Sequence, residues 1–239
     1  MQKPQTRSCC IKQSISENGY YIIHNALKNP QKYLNELIND SSAHSDTMWN
    51  IRFALKKYFA RYWGTQNLVS SFDGCSLNSA FSLSWHVDQN MTHGDGVSCI
   101  QGVLALTHSN STDLLLKSHK HFNTFGKRCT SYNFDEFESY PIPKTDNIWK
   151  MDLVIYTPQL NPGDMLLFDS RLIHRVVLRN IRSVSYVSMI PRSFVSKDIQ
   201  KKRQIGYTKG IQTTHWCSRF IEVDSGKPPT KSYMFNHLI

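Results

Sequence analysis

From about residue 68 the chain becomes a succession of short extended runs, and this limits its fold more than any other feature. Ser79–Trp85, Val97–Thr107, Asp113–Ser118, Asp152–Pro158, Met165–Asp169, Leu172–Leu178 and Arg182–Ile190 all read as strands bounded by Gly, Asn, Asp, Ser or Pro. Each run must bury at least one face, and seven of them following a helical segment predict two facing sheets closed into a barrel or jelly roll with helices packed outside. The expected class is mainly β with flanking α-helices.

The segment before residue 68 has a different period. Residues 1–13 are polar and are expected to fray, and Tyr20–His24 is a β-branched and aromatic strand candidate. Asn29-Pro30 opens a helix through about Asp40. In the next helix Met48, Ile51, Leu55, Tyr58, Phe59 and Tyr62 follow helical spacing, Asp46 is placed to cap it and Gly64 to end it. Arg52, Lys56, Lys57 and Arg61 give that helix a basic outer face, read as solvated, with nucleic acid as the alternative.

At 239 residues the chain fits one large domain. Its formal net charge of +10 favours polyanionic neighbours without bearing on fold. Six scattered cysteines form no CxxC pair and no finger-like spacing with histidine, so reduced intracellular thiols are expected. No apolar leader is evident and no apolar run approaches a membrane span, so the reading is cytoplasmic with no membrane span.

Chemistry concentrates in Ser82-Leu83-Ser84-Trp85-His86-Val87-Asp88-Gln89 and in a distant His174. Side chains at i and i+2 of a strand share a face, so His86 and Asp88 can grip one metal ion from one edge of a pocket. With His174 from a second strand, two imidazoles and a carboxylate make the facial triad of non-heme Fe(II) oxygenases, which leaves positions open for oxygen and a co-substrate.

Four segments, in order, resemble the phytanoyl-CoA dioxygenase family of Fe(II)- and 2-oxoglutarate-dependent oxygenases over roughly residues 14–192. Ile15 to Ile23, with Glu17-Asn18-Gly19-Tyr20 at its centre, is similar to the family's opening E-x-G-Y strand, and Trp85-His86-Val87-Asp88-Gln89 to its W-H-x-D-Q motif. Val103-Leu104-Ala105-Leu106 and then Leu116-Lys117-Ser118-His119-Lys120 resemble its sheet strand and P-G-S-H-K turn, with Lys117 in place of the glycine. Pro162 to Phe168, His174 and Arg182 resemble its ending. The resemblance implies a double-stranded β-helix, one Fe(II) held by His86, Asp88 and His174, 2-oxoglutarate as co-substrate, O2, and hydroxylation of a substrate with release of succinate and CO2.

The family also places a basic residue shortly after the distal histidine to hold the far carboxylate of 2-oxoglutarate, and Arg182 matches it. A guanidinium suits the task because it grips a carboxylate through two parallel hydrogen bonds and keeps its charge. Arg175 and Arg179 compete, but Arg175 adjoins His174 and should face the other way, while Arg179 lies in an apparent turn. Ser84, two before His86, is a further candidate to bond the co-substrate. His24 reads as structural, and His93, His108, His119 and His121 as surface or supporting residues rather than ligands.

Two regions remain. The aromatic-rich stretch 119–150 is expected to be a lid over the substrate, with padding outside the barrel as the alternative. Beyond residue 193, Lys197, Lys201, Lys202, Arg203 and Lys209 form a basic extension expected to pack on the same domain; it reads as solvated, and is the place to look for a polyanion. The expected partner is an unidentified substrate, a small molecule or a protein side chain. The alternatives are a catalytically degenerate barrel that binds polyanions or nucleic acid, and a nucleic-acid oxidative demethylase.

Overall fold

The computed structural model describes residues 7–89, 94, 96–128, 140–229 and 238. The chain opens with helix α1 (Arg7–Asn18), strand β1 (Tyr20–Ile23) and helices α2 (Pro30–Asn39) and α3 (Asp46–Trp63). Strands β2 (Leu68–Ser70), β3 (Cys75–Ser79), β4 (Leu83–Val87), β5 (Ile100–Ala105) and β6 (Thr112–Leu115) follow. After the short helix α4 (Phe122–Arg128) come β7 (Tyr140–Pro141), β8 (Ile155–Tyr156), β9 (Met165–Asp169), β10 (His174–Val176) and β11 (Arg182–Pro191). Helix α5 (Lys197–Lys209) and the pair β12 (Ile211–Thr213) and β13 (Glu222–Ser225) complete the described elements.

The larger sheet runs β1-β9-β5-β11-β2, with β3 also lying along β11, and the smaller runs β7-β4-β10-β6-β8. Every recorded pairing is antiparallel. Val103, Leu166, Phe168 and Val184 of the larger sheet meet Leu114 of the smaller one in the core between them. This is the expected mainly β jelly-roll class, with two sheets standing face to face rather than one continuous closed barrel.

The outer face of the larger sheet is covered by α3. Met48, Ile51, Leu55 and Phe59 are fully buried there in one cluster with Leu104, Met165, Leu167 and Val187. Each such side chain contributes about 1.5–3 kcal/mol through burial, which fixes the sheet against the helix. Ser45, not Asp46, is the cap, since its side chain accepts a bond from the Met48 N–H; Gly64 ends the helix with φ 72°. Arg52 departs from the expected basic face because it is buried, donating to the main-chain oxygens of Ala43 and Asp73 and stacking on Trp49.

Two N-terminal and insertion features also differ from expectation. Residues from Arg7 onward form α1, because Ile11 and Ile15, one turn apart, bury together against the core. None of the described residues of the 119–150 insertion lines the cavity that holds His86, Asp88 and His174. Phe122, Phe125, Tyr140 and Ile148 instead pack with Val87 and Ile173 in a separate apolar cluster, and Trp149 meets Trp85 at 5.5 Å. These contacts are those of the padding alternative for 119–128 and 140–150; residues 129–139 lie outside the described residues.

The loop leading into β10 is braced by two unusual backbone positions. Gly19 has φ +91°, and a Cβ there would meet Leu172 Cδ1 at 2.4 Å and His119 Nδ1 at 2.8 Å, which explains why the E-x-G-Y segment needs a glycine. Lys117 occupies the left-handed region at φ 64° in the turn where the family pattern has glycine. That turn delivers Ser118, whose Oγ accepts the Ile173 N–H at 2.9 Å, next to His174.

A left-handed non-glycine residue costs roughly 1–2 kcal/mol, partly offset by glycine's greater loss of backbone freedom. Lys117→Gly is therefore expected to raise the Tm by about 1–4 °C in a thermal melt, whereas Gly19→Ala lowers it. An unchanged Tm in both would remove strain as the explanation of this turn.

Candidate metal centre

The centre follows from strand register. In the antiparallel pair β4–β10, His174 lies directly opposite His86, and the two rings stand 4.2 Å apart. Asp88 follows just after the end of β4. Its Oδ1 is 3.6 Å from His86 Nε2 and its Oδ2 3.4 Å from His174 Nε2, and one ligand atom from each of the three residues falls within 4.8 Å of the others. All three residues are buried. Among the described residues this is the one His/Cys/Asp/Glu group with metal-binding geometry.

Hydrogen bonds decide which imidazole nitrogen is free. His86 Nδ1 lies 2.7 Å from the Ser84 carbonyl and His174 Nδ1 2.9 Å from the Leu172 carbonyl. A carbonyl only accepts, so each Nδ1 carries a proton, and each Nε2, which faces Asp88, is the ring nitrogen placed to meet a metal. Two ring nitrogens and a carboxylate then converge on one point. A cation at their centre resolves that arrangement, and the donor set of two imidazoles and a carboxylate fits Fe(II).

The charges agree. Burial, and then His86, lower His174 to about 4, so it is neutral near pH 7. Burial alone would raise Asp88, but His174, His215, His86 and the Gln101 hydrogen bond outweigh it and hold the carboxyl down to about 2. Gln101 on β5, which sequence reasoning missed, donates to Asp88 Oδ2 at 2.8 Å and fixes the carboxylate. Gln89, the residue after Asp88, is itself held by the Ser170 hydroxyl, which donates to its Oε1 at 2.7 Å.

The triad opens on a cavity of about 230 Å³ between the sheets. Arg182 lines it from the facing sheet; it is 4% exposed, and its guanidinium donates to Thr112 Oγ1 at 3.3 Å and lies near the Phe81 ring. No carboxylate of the described residues pairs with it. Its competitors are engaged elsewhere, since Arg175 and Arg179 both pair with Asp113, at 2.9 and 2.8 Å.

Ser84 differs from expectation. A register irregularity between β4 and β10 turns Leu83 into the cavity lining and leaves the Ser84 side chain exposed, so the described contact of Ser84 is its carbonyl on His86. His24 pairs with Asp164, His119 bonds the Ser16 carbonyl, and His108 is exposed; His93 lies outside the described residues.

Two further cavity residues, Asp73 and His215, gave no signal in the sequence. Asp73-Gly74 reads as a turn dipeptide, and His215 lies beyond the segments that carry the resemblance. His215 comes from the C-terminal region, whose Trp216 and Cys217 are buried with Val69, Cys99 and Ile190. Arg203 of the same region is also buried, bonding the Ser70 carbonyl and stacking on Phe72, so the expected basic patch loses that member.

Comparison with solved structures agrees with this fold. The epimerase SnoN, in complex with Fe3+, alpha ketoglutarate and nogalamycin RO, matches with TM-score 0.57 and 12% identity, covering 77% of this chain and 83% of SnoN. EctD from S. alaskensis with bound Fe matches with TM-score 0.57 and 15% identity, covering 81% and 80%. HygX from Streptomyces hygroscopicus, with nickel and 2-oxoglutarate, gives TM-score 0.52 and 13% identity over 79% and 87%. The fold is thus shared with structures of iron- and 2-oxoglutarate-binding proteins.

By sequence, the Ava biosynthesis cluster protein O of Aspergillus versicolor is 27% identical over 202 residues, 75% of this chain. The chain spans 65% of the length of that curated relative. No family model matches it.

Removing a residue that orients a metal ligand typically costs 10–100-fold in affinity. Gln101→Ala is expected to weaken Fe(II) binding by that factor in anaerobic calorimetry; undiminished affinity would deny Gln101 this role. The metal-free protein also has a defined pH response. The folded His174 pKa lies below the ordinary value of 6.5, so the unfolded chain takes up a proton that the folded one refuses. Stability therefore falls as pH drops from about 6.5 to about 4, by on the order of 2–3 kcal/mol. His174→Asn should flatten that part of the Tm–pH curve, and an unaltered slope would count against a neutral His174.

Proposed function

We propose that this protein is a non-heme Fe(II)- and 2-oxoglutarate-dependent dioxygenase of the phytanoyl-CoA dioxygenase type, hydroxylating a small molecule. The observation that carries this reading is the coexistence, in one cavity, of three converging ligand atoms and a buried arginine that pairs with no carboxylate of the described residues. His86, Asp88 and His174 would hold the metal, and Arg182 the far carboxylate of 2-oxoglutarate. When bound, Fe(II) with 2-oxoglutarate and O2 supplies the oxidising power for attack on a substrate C–H, with release of succinate and CO2.

The chain's own groups do the positioning. Main-chain carbonyls of Ser84 and Leu172 keep both imidazoles in the ligating tautomer, and Gln101 keeps Asp88 in place. Burial strengthens the grip of Arg182 on an anion, because few waters compete for its donors. Asp88 is a carboxylate rather than a small residue, so no ligand position is given up to halide, which favours hydroxylation over halogenation.

The cavity, walled by Phe81, Leu83, Val103, Phe168 and Val176, suits a small organic substrate rather than a polynucleotide. Cys99 and Cys217 are buried free thiols, which supports a cytoplasmic site of action. No helix of the described residues is long and apolar enough to cross a membrane. Residues 14–192 would form the oxygenase domain and 193–239 an extension packed on it.

The test is anaerobic titration with Fe(II) and 2-oxoglutarate, watching for the visible metal-to-ligand charge-transfer band. Wild type should develop the band, and Asp88→Ala should lose it together with iron affinity. Arg182→Ala should weaken 2-oxoglutarate binding about 10- to 100-fold, as expected for a charged hydrogen-bonded contact. A folded, iron-loaded wild type that develops no band would end the oxygenase reading.

A further inference from the structure

Three polar side chains of the cavity, Asp73, Tyr186 and His215, remain once metal and co-substrate have been given their ligands, and Tyr186 lies on β11 with Arg182. Asp73 lies between β2 and β3, and His215 follows β12, so neither belongs to a strand that carries the triad or Arg182. The remaining wall is largely apolar, with Phe81, Leu83, Val103 and Phe168.

Asp73 is a carboxylate with part of its bonding capacity unused. Its Oδ1 accepts the Gly74 N–H at 3.0 Å, and no donor of the described residues reaches Oδ2. Arg52 is the protein cation whose charge favours it, yet that guanidinium donates to the main-chain oxygens of Ala43 and Asp73, at 2.7 and 2.6 Å, and stacks on Trp49. Burial consequently raises Asp73 to about 7, against the Gly74 bond and Arg52, with Asp88 adding repulsion. A partly buried carboxylate of this kind, facing an apolar cavity, is stabilised by a cation.

Charge matching in the loaded site sharpens the point. The two positive charges of Fe(II) would be met by Asp88 and one carboxylate of 2-oxoglutarate, and Arg182 would be met by the other. Asp73 is then the cavity carboxylate that neither metal nor co-substrate would use, and among the described residues Arg52 reaches it through its main-chain oxygen and not through its carboxylate. Beside it, His215 is held in position by its neighbours: its carbonyl lies 3.7 and 3.8 Å from the Cys99 and Cys217 thiols, and its ring packs on the buried Trp216 at 4.8 Å.

We infer that Asp73 and His215 are the substrate-recognition groups of this cavity, and that the substrate is a hydrophobic molecule bearing a protonated amine. The ammonium group sits on the Asp73 carboxylate, His215 supplies a second polar contact, and the apolar body lies against Phe81, Leu83 and Val103. This rests on the reading that the triad and Arg182 hold Fe(II) and 2-oxoglutarate.

The experiment is anaerobic calorimetry on the Fe(II)- and 2-oxoglutarate-loaded protein with three matched probes: phenethylamine, phenethyl alcohol and hydrocinnamate. Phenethylamine should bind at least tenfold more tightly than the alcohol, and hydrocinnamate more weakly than either. Asp73→Asn should erase the amine preference while retaining the charge-transfer band, and His215→Gln should reduce amine affinity by a smaller factor. A normal band with equal affinities for the three probes overturns the amine subsite alone, as does a preference that survives Asp73→Asn. Absence of the band in wild type overturns the oxygenase reading and this inference with it. Should Asp73→Asn fail to fold, the ranking of the three probes on wild type still decides the matter.

Discussion

The whole arrangement depends on the register of one antiparallel strand pair. His86 and His174 are far apart in the chain, yet they lie directly opposite each other on β4 and β10. A slip of one residue would turn either ring to the other face of the sheet and dissolve the cluster. Much of the surrounding structure holds that register. Ser118 bonds the backbone just before His174, Gly19 packs on Leu172, and Gln89 ties the end of the Asp88 segment to Ser170. These are the segments through which the chain resembles a known family, so the motif residues that are not ligands have a physical task as well.

Electrostatics divides the cavity into zones. The triad gathers acceptors and so attracts a cation. Arg182, on the facing sheet, is a buried cation and so attracts an anion. The preceding arginines, Arg175 and Arg179, share the Asp113 carboxylate outside the cavity. Asp73 and His215 define a third zone, and the walls between are apolar. A chain that is strongly basic overall therefore presents a cavity whose charges are individually placed, which its net charge does not describe.

Much of the fold was legible because strand and helix periods were undisturbed. Met165–Asp169 forms a strand at the expected bounds, and Arg182 starts β11 as read. His86 and Asp88 could be put on one face because a strand alternates, and their meeting with His174 needed only a neighbouring strand. Ser84 could not be placed correctly, because a register irregularity breaks the alternation between it and His86. Arg52 was hidden for another reason: its charge points to solvent, whereas its spacing of four from Met48 and three from Leu55 puts it on the buried face, where bonds to two main-chain oxygens hold it. Gln101, Asp73 and His215 are brought to the cavity by long-range packing that leaves no local pattern.

The pairing of β1 with β9 joins Tyr20–Ile23 to Met165–Phe168. A sheet closed by so distant a partner forms late, since the loop between must be ordered before the contacts return any free energy. On the ribosome, the early part of the chain carries only the His86–Asp88 half of the cluster until β9 and β10 have emerged. A nascent chain would thus offer iron a weak two-ligand fragment, and firm capture of the metal would report that nearly the whole sandwich had assembled.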